Sequence, residues 1–189
     1  FEPLNYYYIR LRKLYKNRGN IQILKHALSN KIEKKKIYFI DPKIAELMGG
    51  KGPSKDWAHG QGSFSKEVVI HWIKKNKSRG KEYIKNLNKF LNSIKFKEIK
   101  TKKISFIKIP KNHVSLMIID VQGFELEVLK GVNWSNSPDY IVYEDDLTIY
   151  NKKSNLIRKL LKKNGYKYIG GKYDKIFSKK ISDMSSFIS

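Results

Sequence analysis

Apolar residues fall along this chain in short blocks, and the sharpest block opens at Ser115. Leu116, Met117, Ile118 and Ile119 run together and stop at Asp120. Gly123 follows, and then Glu125, Glu127, Val128 and Leu129 recur with helical spacing up to Val132. A short apolar run ended by an acid and followed by a helix predicts a buried parallel strand of an α/β sheet. The next apolar run, residues 139–144, also ends in an acid, Glu144. Together these predict one β-α-β unit. Ligands of such sheets lie outside the carboxyl ends of the strands, where Asp120 and Glu144 would stand.

Upstream, residues 4–18 carry Leu4, Tyr7, Tyr8, Leu11 and Leu14 on one face, with Gly19 as a stop. Residues 21–27 and 36–40 read as strands, the second running into Asp41-Pro42. Residues 49–62 form the loop-like centre, with Gly49, Gly50, Gly52, Pro53, Gly60 and Gly62. Ser63 or Ser65 can cap a helix reaching about Asn76, and residues 81–94 predict a second. Residues 101–110 fit no single pattern. Leu156, Ile157, Leu160 and Leu161 mark a last helix ending at Gly165, and residues 166–169 and 173–177 flank Gly170-Gly171 as a hairpin. The fold class is α/β, with residues 1–189 as one domain and 49–111 as a loop-and-helix region inserted in it.

Composition narrows the chemistry. A chain of 189 residues suits a single core. Without cysteine there is no disulfide framework, thiolate metal site or cysteine nucleophile. The four histidines are too scattered for a zinc motif, and no apolar run reaches membrane-spanning length. A cytoplasmic location is expected. The net charge of +23 invites a nucleic-acid reading, yet only five of the 40 basic residues are arginine, at 10, 12, 18, 79 and 158. Lysine-rich, arginine-poor composition resembles the imprint of an AT-rich genome and gives weak, nonspecific attraction to nucleic acid.

The stretch from Ile119-Asp120-Val121-Gln122-Gly123 through Phe124-Glu125-Leu126-Glu127-Val128-Leu129-Lys130-Gly131 resembles the central signature of FkbM-family S-adenosylmethionine (SAM) methyltransferases. Phe1-Glu2-Pro3 resembles the acidic turn after that fold's second strand. His26-Ala27-Leu28-Ser29 is similar to the loop after its third, and Tyr140-Ile141-Val142-Tyr143-Glu144 to its fifth. Gly62-Ser63-Phe64 is also similar to some members. The likeness covers about residues 1–144, with Gln122 where many members have glutamate. It implies a Rossmann-like class I methyltransferase sheet closed by a C-terminal antiparallel hairpin. It implies SAM as cofactor and a hydroxyl of a sugar, glycan or secondary metabolite as acceptor. Glu2 would take the ribose hydroxyls, Ala27, Leu28 and Ser29 would border the adenine, and Asp120 and Gln122 would also face the cofactor. The family's first strand and glycine loop would precede Phe1, so the chain is expected to be N-terminally incomplete, to bind SAM weakly or not at all, and to expose the edge of the strand at 116–119.

Methyl transfer to oxygen requires a held cofactor, an aligned acceptor and a route for the acceptor's proton. Asp120 could orient the methionine amine or take that proton, and if buried near a cation it would favour positioning. Glu144 is a second base candidate. Asp145 and Asp146 beside Asp120 raise a metal question, but adjacent loop acids are usually solvated, and no metal is assigned. His59 lies in a glycine-flanked loop with Trp57, Gln61 and Ser63, which together could contact a polyhydroxylated acceptor, His59 as base. The glycines at 49–52 do not have phosphate-loop spacing, and Pro53 removes a needed donor. Two rival readings are an RNA methyltransferase and a noncatalytic lysine-rich module that binds polyanions.

Overall fold

A computed structural model describes residues 1–49, 57–76, 80–106, 115–145 and 147–179. The chain divides into two compact units, Phe1–Lys102 and Lys103–Ser189.

In the first unit, helix α1 (Asn5–Leu14) has no buried residue, and Leu14 is 70% exposed. The apolar stripe read from the sequence therefore docks mainly through Leu4, just before the helix, which is buried. Strand β1 is short, Ala27–Ser29, and fully buried, so the strand begins where the sequence reading ended it. Residues 21–26 carry no regular structure. Strand β2 (Lys34–Ile40) runs into helix α2 (Pro42–Gly49), which the sequence reading missed. Asp41 accepts from the Lys43 amide at 2.9 Å, and Pro42 takes the first helical position, where its lost donor costs nothing. A 3-10 turn (Trp57–Gly60) leads to helix α3 (Lys66–Lys75), capped by Ser65 accepting from the Val68 amide. The expected helix at 81–94 is two, α4 (Lys81–Lys85) and α5 (Leu87–Asn92), separated at Asn86.

Strand β3 (Ile94–Lys103) is the largest departure from the sequence reading. Only Thr101 in it is buried, so hydrophobic alternation could not reveal it. Pairing makes it a strand: it runs antiparallel to β2, with Ile40 opposite Ile94 and Lys34 opposite Lys100. Thr101 Oγ1 donates to the Lys31 carbonyl at 2.7 Å and accepts from the Glu33 amide at 3.1 Å. The sheet order is β1-β3-β2. Ile40, Ala45, Met48, Ala58, Val69, Ile73, Tyr83 and Phe90 form the core of this unit.

The second unit holds strand β4 (Leu116–Ile119), helix α6 (Glu125–Lys130), strand β5 (Tyr140–Glu144), helix α7 (Leu147–Lys163) and the hairpin β6 (Lys167–Gly170) and β7 (Asp174–Ser178). Its order is β4-β5-β7-β6, with β4 parallel to β5 and both β7 pairings antiparallel. This matches the β-α-β unit and terminal hairpin read from the sequence. Gly165, at φ +84, ends α7: its amide reaches the Lys162 carbonyl and the Tyr166 amide reaches Leu161. Gly171 is forced by space, since a Cβ there would lie 1.7 Å from the Asp174 oxygen. Ile141, Tyr143, Leu129, Leu161, Tyr166 and Phe177 fill the interior.

The burial expected of the strand at 116–119 from its apolar run is corrected, whereas the exposed edge expected from the family resemblance agrees with its place in the sheet. Strand β4 is not buried on both faces: Leu116 is 57% and Ile118 69% exposed, whereas Ile119 is buried. It forms the edge of its sheet, and one of its two alternating faces is uncovered. Among the described residues no helix is long and apolar enough to cross a membrane.

Candidate active site

Strands β4 and β5 are parallel neighbours, so both run out at the same end of the sheet. Asp120 follows β4 and Glu144 closes β5. Gln122 lies between them: its side-chain nitrogen donates to Asp120 Oδ1 at 2.8 Å and to Glu144 Oε2 at 3.0 Å. The structure thus brings three of the residues singled out in the sequence into one hydrogen-bonded group. Asp120 itself is exposed, so the condition of burial beside a cation under which it would favour positioning is not met. Glu144 is half-buried and Gln122 is 7% exposed. Hydrogen bonds to charged acceptors stabilise by about 1.5–3 kcal/mol each.

The backbone supplies this arrangement. Gln122 has φ +50, a left-handed conformation that side chains other than glycine rarely adopt, and Gly123 follows at φ +94. Two successive positive φ values fold the chain back, so that the Gln122 side chain returns toward the strand end. The turn is gripped from two sides. Glu125 Oε1 accepts from the Gly123 amide at 3.0 Å, and Lys153 Nζ donates to the Gly123 carbonyl at 2.8 Å. Lys153 also lies 3.9 Å from Glu127. Burial pushes the Glu125 carboxyl above its ordinary range; its bond from Gly123 opposes the shift and the Asp120 charge adds to it. Sequence reading missed Glu125 and Lys153. An acid opening a helix just after a glycine was a signal for the first, and nothing local marked the second.

Asp145 is held in a separate network. Its side chain is 1% exposed and accepts from Arg158 at 3.1 Å, and the Ser154 hydroxyl donates to it as well. Burial pushes the nearby Tyr143 hydroxyl up to about 12, with the Asp145 charge adding to the shift. Asp145 therefore fastens α7 to the end of β5. Asp146 lies outside the described residues. Among the described residues no group of three or more acidic or histidine side chains could hold a metal ion.

The remaining sequence candidates lie in the first unit. Glu2 is half-buried, and its Oε1 accepts from the Leu4 amide at 2.7 Å, turning the chain into α1. Burial raises its pKa. Ala27, Leu28 and Ser29 are buried strand residues of β1 rather than an open loop, and Ser29 Oγ lies 3.3 Å from Asn30 Oδ1. Trp57 opens the 3-10 turn; its side chain lies outside the described parts. His59 in that turn is half-buried: its Nδ1 lies 3.2 Å from the Tyr7 hydroxyl, and the Tyr6 ring stacks on it at 6.3 Å. Burial, with the Glu2 charge adding, holds the Tyr7 phenol above its usual range. Gln61 is half-buried. Ser63 is buried, exchanges backbone bonds of 2.7 and 2.9 Å with Tyr38, and accepts from the Ser65 amide at its Oγ. The 57–63 segment is thus pinned to α1 and β2. His113 and the glycine-rich residues 50–55 lie outside the described residues.

An acid-tipped parallel strand pair, a glycine turn and the helix after it form the region where the sequence most resembles the methyltransferases. The family's model, the methyltransferase FkbM domain, matches residues 1–168. The chain belongs to the FkbM methyltransferase family. No curated protein and no solved structure matches it.

Proposed function

We propose that this protein is a SAM-dependent O-methyltransferase of Rossmann-like class I architecture, acting on a hydroxyl of a sugar, glycan or secondary metabolite. The observation that carries the reading is the Asp120–Gln122–Glu144 group at the ends of two parallel strands in a chain of this family. The donor set fits the cofactor: two carboxylates at one strand end suit an ammonium group and hydroxyl donors. When bound, SAM supplies an electrophilic methyl group. Asp120, exposed at the end of β4, would hold the amino group of the methionine portion. Glu144, half-buried beside it, would accept the proton that leaves the acceptor hydroxyl. Gln122 would keep both oxygens in place through the chemistry.

Further roles are proposed for residues of the first unit. Glu2 would accept the ribose hydroxyls, and Ala27, Leu28 and Ser29 would border the adenine. Trp57, Gln61 and Ser63 would contact the acceptor. His59 is the alternative base: with its Nδ1–H donating to the Tyr7 oxygen, the basic nitrogen would be Nε2.

Transfer of a labelled methyl group from SAM to a panel of sugars, glycans and hydroxylated metabolites tests the reading in this protein. Incorporation into an oxygen-linked methyl, lost in Glu144→Gln and in Asp120→Asn, is the expected result. Equal incorporation in both variants would remove this site from the reaction.

A further inference from the structure

Gln122 combines two features that rarely coincide. Its backbone is left-handed without being glycine, and its side chain is buried between two carboxylates. Such a conformation persists only where surrounding contacts over-determine it, and strained positions of this kind cluster at functional sites. The contacts are visible here: Glu125 holds the Gly123 amide and Lys153 holds the Gly123 carbonyl.

The amide is matched to what it touches. Its nitrogen carries two hydrogens, and two carboxylate oxygens lie at 2.8 and 3.0 Å. The opposite orientation would set the amide oxygen against both acceptors, so the nitrogen must face them. Two carboxylates that share one donor repel each other as like charges. A donor shared between them offsets that repulsion without adding charge. Among the described residues, charged groups on the elements around the pair include Glu125 and Glu127 on α6, Lys153 on α7, Asp145 next to Glu144 and Asp174, opposite Glu144 on β7; the Lys153 ammonium donates to the Gly123 carbonyl, with Glu127 at 3.9 Å.

We propose that Gln122 is a positioning residue whose amide holds Asp120 and Glu144 together as two ionised carboxylates, ready for one to take a cationic group and the other a proton. What the pair serves rests on the methyltransferase reading above; that Gln122 sets its charge state does not.

Gln122→Gly is the first variant, because glycine accepts the left-handed backbone while the whole side chain, amide included, is removed. Gln122→Met, which keeps the bulk without the donors, is the second. The carboxyl carbons of Asp120 and Glu144, followed by NMR against pH in the full chain, should titrate with one midpoint raised by about one pH unit or more in both variants. S-adenosylhomocysteine binding, followed by calorimetry, should then decline on acidification at a correspondingly higher pH than in the wild type. Raised midpoints in a protein that binds no S-adenosylhomocysteine would uphold the role of Gln122 and count against the cofactor assignment. Unchanged midpoints in a folded Gln122→Gly protein would overturn the proposal.

Discussion

Lys153 donates to the Gly123 carbonyl at 2.8 Å and so ties α7 to the turn that carries Gln122. The bond joins residues far apart in sequence and fixes the one strained stretch of the candidate site. Lys153→Met keeps the aliphatic stem and removes the donor, at a cost of about 1 kcal/mol. Amide exchange at residues 121–123 should accelerate by about fivefold while the β5–β7 ladder keeps its protection. Uniform acceleration across the unit would instead point to global destabilisation.

Glu125 gives stability an unusual pH dependence. Its folded-state pKa is raised, so the native protein binds this proton more tightly than the unfolded chain does. Stability contributed by the neutral carboxyl is present below the unfolded value of about 4.5 and is lost as pH rises through the higher folded value. Glu125→Gln keeps an oxygen for the Gly123 amide and cannot ionise. The variant should gain on the wild type as pH climbs from 4 toward neutrality, measured by urea unfolding at each pH; a gap of constant size would contradict this account of Glu125.

Arg158 and Asp145 make a lopsided pair, the acid almost wholly buried and the arginine half exposed. Arg158→Ala strands the carboxylate, and after allowance for solvent around the arginine the loss should be about 1–3 kcal/mol. Thermal unfolding checks it. A Tm within error of wild type would mean that Ser154 alone satisfies Asp145.

The Tyr7 and His59 contact separates orientation from base chemistry in the first unit. Tyr7→Phe should alter the His59 tautomer balance, read from ring nitrogen shifts, with little loss of stability. His59→Ala should lower kcat and leave S-adenosylhomocysteine affinity nearly unchanged, whereas Trp57→Ala should chiefly raise the acceptor KM. Wild-type kinetics in both variants would remove the 57–63 segment from the acceptor's path.

The second unit was largely legible from the sequence because its elements announce themselves. The apolar run before Asp120, the run before Glu144 and the glycines at 165, 170 and 171 each carry a local physical reason for their state. Strand β3 was not legible: its lysines face solvent and only its pairing with β2 makes it a strand. Helix α2 was hidden because Asp41-Pro42 punctuates a strand end and a helix start equally well. Within the site, Asp120, Gln122 and Glu144 were found one at a time, but their common hydrogen bonds depend on the left-handed turn at Gln122. Lys153 lies on another helix, and its contact with Gly123 is a product of packing that no local pattern encodes.

Calorimetric titration of S-adenosylhomocysteine into the protein, beside Asp120→Asn, tests the central claim most directly. The carboxylate of Asp120 is exposed at the strand end, so its replacement should spare the fold and remove one charged contact with the amino group. Saturable binding by the wild type, weakened about tenfold or more in the variant, is the predicted result. Binding of equal strength in both, or none in the wild type, would contradict it.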